Sequence, residues 1–286
     1  MKTIKSYLTT PLTKFLRDSV KDPRNVKFNR KRYLFNKAFG QKEFISYIPS
    51  EFDIAITFRC NLRCPACQYL LKDKEAFDKA KDMSLEDFKW ILETFQKDIK
   101  TVAIQGGEPL LHPEFSKIVR CIRDKKLNLR MSTNGTLIKE RIQDLKNLNI
   151  TMNISLDGTD YQSFKKLRDG TEKQHQDIIE GMGLLRDFQI PFQISFLLFE
   201  ETLPQISRVL DFAREVKPAL IRFRAGNPHG SSIWTPLTTE SSLVKNFLEE
   251  VLGRNDYPFS IKMPVIFDPG SELFQRQNCF QLWDQA

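Results

Sequence analysis

From Glu51 onward, short apolar runs alternate with longer stretches in which apolar residues recur every three or four positions. The short runs predict strands at about Asp53–Phe58, Val102–Gln105, Leu127–Ser132, Thr151–Leu156, Phe192–Phe199 and Leu220–Arg224. The longer stretches predict helices near Leu85–Ile99, Pro113–Lys125, Leu137–Asn147, Gln174–Phe188 and Leu203–Val216, and a further one at about Ser242–Leu252. In the first helix, Leu85, Phe88, Ile91, Leu92 and Phe95 mark the face expected to meet the sheet, and Ser84 stands three residues before Asp87 as an N-cap. Regular alternation of strand and helix argues for a parallel sheet with right-handed crossovers. Six such units form an α/β fold, a partial (β/α)6 TIM-like barrel open on one side. With 286 residues, 41% of them hydrophobic, the chain can bury one substantial core.

Charge separates the N-terminal end of the chain from the rest. The net charge is +8, but residues 1–42 hold 12 Lys and Arg against 2 acids, so the remainder sums to −2. Tyr7, Phe15, Phe28, Tyr33, Phe35 and Phe39 are interleaved with those cations. The expected organisation is a basic N-terminal extension at 1–50, a core at 51–235 and a C-terminal segment at 236–286. The extension reads first as a cap packing its aromatics on the core. An anionic membrane surface or an acidic partner comes second, and nucleic acid third, because no nucleic-acid motif is present. Residues 1–16 have no apolar signal-peptide core, and no apolar run reaches the ~20 residues of a membrane span. With 5 cysteines, a reducing cytoplasmic setting is expected, with peripheral membrane contact through the extension as an added reading.

Three of those cysteines, Cys60, Cys64 and Cys67, fall within eight residues as C-x3-C-x2-C. Such a cluster could be a disulfide with a spare thiol, a zinc site, free thiols or part of an iron–sulfur site. A reducing setting argues against the disulfide. Zinc wants a fourth ligand, and Cys121, Cys279, His112, His175 and His229 stand at no typical zinc spacing from the triplet. An iron–sulfur cube on three thiolates leaves one iron open to a non-protein ligand.

Further motifs end the later strands. Gly106-Gly107-Glu108-Pro109 breaks the second, its glycines expected to leave amides and carbonyls exposed to a ligand. Ser132-Thr133-Asn134-Gly135 ends the third and Ser155-Leu156-Asp157-Gly158 the fourth. Each alone is ordinary turn chemistry. Together they line the C-terminal ends of the strands, the functional rim of a βα barrel.

In this order the motifs resemble the radical S-adenosylmethionine superfamily, over about Phe52 to Ala225, and most closely its SPASM or twitch branch. The resemblance implies that Cys60, Cys64 and Cys67 hold a 4Fe-4S cluster whose fourth iron is chelated by the methionine of S-adenosylmethionine. It implies reductive cleavage to a 5′-deoxyadenosyl radical that takes hydrogen from a substrate. By position, Gly106, Gly107 and Glu108 would receive the methionine ammonium. Ser132 and Asn134 would contact methionine or ribose, Ser155 and Asp157 the ribose hydroxyls, and Arg168 the carboxylate. For Arg168 a solvated helix-end cation, and for Asp157 a turn contact, are the rival readings. Ala66 stands where relatives often carry an aromatic near the adenine; Tyr69 or Phe58 could replace it. Asn278–Trp283 resembles the opening cysteine of the branch's C-terminal extension, and the sequence stops three residues later. A shortened extension without an auxiliary cluster is therefore expected, leaving one cluster, with Cys121 as a packing residue. An electron donor such as a flavodoxin or ferredoxin is implied, together with a small-molecule or peptide substrate. The loop Ala225–Trp234 is a candidate substrate contact. The competing functional reading is a catalytically inactive relative that binds metal or protein.

Overall fold

The computed structural model describes residues 50–67, 75, 79, 81–95, 99–225, 235, 251 and 257–262. The basic extension, Tyr69, the loop 226–234, most of the expected helix at Ser242–Leu252, and Cys279 lie outside the described residues.

Seven parallel strands form one sheet, in the order of the sequence. They are β1 (Glu51–Thr57), β2 (Thr101–Gly106), β3 (Asn128–Thr133), β4 (Ile150–Ser155), β5 (Phe192–Leu198), β6 (Leu220–Ala225) and β7 (Ser260–Lys262). Between them run α1 (Leu85–Thr94), α2 (Phe115–Asp124), α3 (Ile138–Leu145), α4 (Tyr161–Arg168), α5 (Glu172–Asp187) and α6 (Ile206–Val216). Sequential order with a constant crossover hand places the helices on one face, which is the partial barrel expected from the alternation. Among the described residues, no helix is long and apolar enough to cross a membrane.

Each strand expected between Asp53 and Arg224, and each helix expected between Leu85 and Val216, is present. Among α-helices and strands, two were not expected. Helix α4 carries only Phe164 and Leu167 as buried residues, so its period is faint; it is set by its ends, where Asp160 accepts from the Ser163 amide and Asp169 closes the helix at φ 52°. Strand β7 has three residues and a single apolar one, and exists through its pairing with β6. It extends the six-stranded expectation to seven.

Alternation along the strands sorts the two faces. Ile54, Ile104, Met131, Ile154, Phe196 and Phe223 are buried against the helices in one continuous core. Phe88 and Leu92 of α1 are fully buried there, with Leu85, Ile91 and Phe95 packed alongside. Burial of one such side chain contributes ~1.5–3 kcal/mol. The opposite, inner face carries Asp53, Gln105, Ser132, Asn153, Gln193 and Arg222, all half-buried or exposed. A polar inner face is what distinguishes an open barrel from a sheet covered on both sides.

Candidate active site

The thiols sit on the loop that leaves β1. A register shift between Ala55 and Thr57 ends the regular pairing with β2. Leu62, 2% exposed, anchors the loop in the core between the first two cysteines. The Cys67 amide donates to the Cys64 carbonyl at 3.0 Å, closing a turn. Below the loop, Asp82 accepts from the Thr57 hydroxyl at 2.6 Å and from Arg59 Nε at 3.0 Å, while Arg59 Nη2 donates to the Leu111 carbonyl at 3.0 Å. The base of the loop is therefore tied to α1's entry and to the turn after β2.

Gly106 and Gly107 hold the loop from the other side. The Gly107 amide donates to Thr57 O and the Glu108 amide to Arg59 O, both at 2.8 Å. A Cβ at Gly106 (φ +132°) would lie 2.0 Å from Thr57 O, and one at Gly107 2.3 Å from Arg59 O. The glycines thus admit the backbone of the thiol loop. The expectation that the glycine amides are exposed to a ligand is corrected at Gly107: its amide, like that of Glu108, is spent on holding the loop against β2.

Glu108 has no exposed surface. Its Oε1 accepts from the Thr133 hydroxyl at 2.7 Å and the Leu110 amide at 3.1 Å, and Oε2 accepts from the Asn134 amide at 2.7 Å. Burial pushes its pKa up to about 7, against the pull of those donors. Thr133 in turn accepts from the Gly135 amide at 3.0 Å, which leaves its hydroxyl proton for Glu108.

Asn134 joins the third strand end to the loop. Its Oδ1 accepts from the amide and hydroxyl of Thr136, at 3.0 and 2.7 Å. Its Nδ2 donates to Asn61 Oδ1 at 2.9 Å and stands 3.8 Å from Cys60 Sγ. Asn61 Nδ2 returns a bond to Thr136 Oγ1 at 2.8 Å, and Gln174 of α5 donates to Asn61 O at 3.2 Å. Ser132 is exposed and Ser155 half-buried on the inner face.

Asp157 and Arg168 form a buried ion pair, with side chains 4% and 14% exposed. Asp157 Oδ1 also accepts from the Leu197 amide at 3.0 Å, and Arg168 Nη1 donates towards Cys64 Sγ at 3.7 Å. The reading of Arg168 as a solvated helix-end cation is corrected: α4 ends against the thiol loop, and the guanidinium turns inward. Its Nε is buried without a hydrogen-bond partner. Burial opposes the guanidinium's charge, but Asp157 and Cys64 outweigh it and raise its pKa. Burial also raises the Cys60 thiol to about 11 and raises Cys64, the latter against the pull of Arg168. Ala66 packs with Leu197 on a small separate cluster formed by Leu167 and Phe199.

The ends of β2 and β3 and the last residue of α4 thus reach the thiol loop. Asn61, Thr133, Thr136 and the Arg59–Asp82 pair were not singled out from the sequence. Thr136 had a signal, since an Asn two residues before it is an Asx-turn pattern; the others depend on contacts between distant segments.

The four described cysteines are free. Among the described residues, no group of three or more His, Cys, Asp or Glu converges as the ligands of one metal ion do. The thiolates of a cube occupy three different irons and have no such point to share. Three free thiols on one loop, beside a buried guanidinium nitrogen without a partner, fit that donor set.

The Radical SAM superfamily model matches residues 54–213, more than half of the chain. The chain belongs to the radical SAM superfamily. S-adenosylmethionine and a 4Fe-4S cluster are the cofactors of that family. Among curated relatives, a probable GTP 3′,8-cyclase of Methanococcus maripaludis is 30% identical over 173 residues, 58% of this chain and 55% of the relative. The GTP 3′,8-cyclase of Campylobacter jejuni subsp. doylei is 34% identical over 179 residues, 59% and 53% of the two chains. This radical SAM chain therefore spans little more than half the length of the cyclases it matches. Among solved structures, Streptococcus suis SuiB bound to its precursor peptide SuiA has a TM-score of 0.64 at 19% identity, over 89% of this chain and 56% of SuiB. SuiB bound to S-adenosylmethionine gives 0.63 at 18%, over 88% and 53%. These likenesses show the shared fold.

Proposed function

We propose that this chain is a radical S-adenosylmethionine enzyme working with a single 4Fe-4S cluster on Cys60, Cys64 and Cys67. The observation that carries the reading is the convergence on one loop: the Cys60 and Cys64 thiols lie within reach of Asn134, just past the end of β3, and Arg168, at the end of α4. Bound together, cluster and S-adenosylmethionine supply a 5′-deoxyadenosyl radical for hydrogen abstraction. The chain's residues position and enclose that chemistry. Gly106 and Gly107 offer carbonyls, and Glu108 a buried carboxylate, to the methionine ammonium. Ser132, Asn134, Ser155 and Asp157 face methionine and ribose. Arg168, through its unpartnered Nε, faces the methionine carboxylate while its Nη atoms keep Asp157 and Cys64. The reductant is a flavodoxin- or ferredoxin-type donor. The substrate is an organic molecule held at the inner face. The names of its relatives point to two classes, a nucleotide for the cyclases and a peptide for SuiB.

The test is anaerobic reconstitution with iron and sulfide, then reduction in the presence of S-adenosylmethionine. The expected results are a brown protein absorbing near ~410 nm and release of 5′-deoxyadenosine, both lost in Cys64→Ala. Fully reconstituted protein that never releases 5′-deoxyadenosine would refute the reading. Zinc without iron after anaerobic preparation would favour an inactive metal- or protein-binding relative.

A further inference from the structure

The inner face changes character between β4 and β7. Pairing aligns Ser155 of β4 with Ser195 of β5, Ser195 with Arg222 of β6, and Arg222 with Lys262 of β7. Their outward neighbours are apolar: Ile221 and Phe223 are buried in the core, and Ile261 packs against it. Successive strand residues face opposite ways, so Arg222 and Lys262 both point to the inner side. Arg224 follows Arg222 on the same side, ~7 Å further along the strand, and strand spacing sets Arg222 and Lys262 about 5 Å apart.

Two like charges opposite one another on neighbouring strands repel and destabilise the pairing. Of the inner-face acids, Glu51 pairs with Arg130 at 2.8 Å, Asp157 pairs with Arg168, and Asp53 stands on β1, at the other end of the strand order from β6 and β7. Among the described residues, no acid forms an ion pair with Arg222 or Lys262. Arg222 is half-buried, which raises the cost of leaving its charge uncompensated.

We propose that β6 and β7 carry an oxyanion subsite on the inner face, built from Arg222 and Lys262 with the Ser195 hydroxyl beside them, which takes a phosphoryl group of the substrate. This rests on the reading of the inner face as the substrate side. The choice of phosphoryl over carboxylate follows from the donor count. A guanidinium fork, an ammonium and a hydroxyl offer more donors than two carboxylate oxygens can use. Two cations also match a dianion with three terminal oxygens better than a monoanion.

The probe is inorganic pyrophosphate, titrated into the full chain by calorimetry, with malonate as the carboxylate arm. Pyrophosphate is expected to bind at least about tenfold more tightly than malonate. Arg222→Gln and Lys262→Gln are each expected to weaken pyrophosphate about tenfold, and the double variant about a hundredfold. Arg222→Lys keeps the charge without the fork and should fall between wild type and Arg222→Gln. Circular dichroism melts identify any variant that fails to fold, and Lys262→Gln, at an exposed edge position, carries the test if Arg222→Gln does. Absence of pyrophosphate binding, equal binding of malonate, or unchanged pyrophosphate binding in the double variant would each overturn the proposal. The last outcome would assign binding to cations elsewhere, such as those in residues 1–42. Pyrophosphate binding needs neither the cluster nor sulfonium cleavage, so this proposal and the proposed function can fail separately.

Discussion

Gly107→Ala is the sharpest single test of how the thiol loop is held. The added Cβ would lie 2.3 Å from Arg59 O, 2.5 Å from Phe58 O and 2.6 Å from Phe58 C, all backbone atoms. No rotamer change relieves such contacts, so the loop must retreat from β2. Retreat breaks the bonds from Gly107 N to Thr57 O and from Glu108 N to Arg59 O, both 2.8 Å. Two net hydrogen bonds at about 1 kcal/mol each, with overpacking of ~1–3 kcal/mol, give a loss of about 3–5 kcal/mol. The control is Gly183→Ala inside α5, where a Cβ meets nothing within 4 Å. That substitution gains helix propensity alone and should stabilise by ~0.5–1 kcal/mol.

The assay is urea unfolding of the metal-free protein, followed by far-UV circular dichroism and analysed with a common m-value. Iron retained after anaerobic reconstitution is measured in parallel, because a displaced loop carries all three thiols with it. Gly107→Ala is expected to lower both stability and iron content, and Gly183→Ala to lower neither. A Gly107→Ala protein within 1 kcal/mol of wild type would show that the loop relaxes freely, and the argument from backbone approach would fail.

Other substitutions read other parts of the site. Asp157→Asn leaves Arg168 charged and buried beside a neutral partner and should cost ~3–5 kcal/mol; Asp157→Asn with Arg168→Met should cost less than the sum of the singles, checked by a double-mutant cycle in urea. Glu108→Gln turns an amide group toward the donors of Thr133, Leu110 and Asn134 and should cost about 1–3 kcal/mol by the same measurement. Because burial raises the Glu108 pKa from 4.5 to about 7, the folded state holds its proton longer than the unfolded chain. Its contribution is full below pH 4.5 and is lost as pH rises through 7, so wild type should lose stability relative to Glu108→Gln across that window. Lys217 closes α6 in the left-handed region at φ 53° with an exposed side chain; Lys217→Gly should stabilise by up to ~1 kcal/mol, read as a raised midpoint.

The alternation of strands and helices was legible because each element carries its own period. Phe88 and Leu92 announced the buried face of α1, and the structure buries both completely. Helix α4 was not legible, since Phe164 and Leu167 are its only buried apolar residues and its limits are set by Asp160 and Asp169. Strand β7 was not legible because three residues make a strand only beside β6. Within the site, the motifs located the rim, but the ring of Asn61, Asn134 and Thr136 joins segments more than seventy positions apart. No local pattern encodes such a contact; it follows from the register that brings β3 beside the thiol loop's support.

The motif residues divide into two kinds, and the division changes how variants should be interpreted. The Gly107 and Glu108 amides, the Glu108 carboxylate, the Asn134 side chain and the Asp157 carboxylate already spend hydrogen bonds within the protein. Their removal costs folding energy before any ligand is present, so lost activity in such variants is not evidence of a lost ligand contact. Ser132 and Ser155 stand instead on the polar inner face. Replacing either with Ala deletes one hydroxyl from a strand whose outward neighbours stay buried, and surface substitutions of that kind shift stability by no more than about 0.5 kcal/mol. If the inner face binds S-adenosylmethionine, Ser132→Ala and Ser155→Ala should weaken that binding with melting unchanged. Gly107→Ala and Asp157→Asn should move melting first. Equal loss of melting temperature across all four variants would show that the serines are part of the scaffold as well, and would remove them from the ligand-facing set.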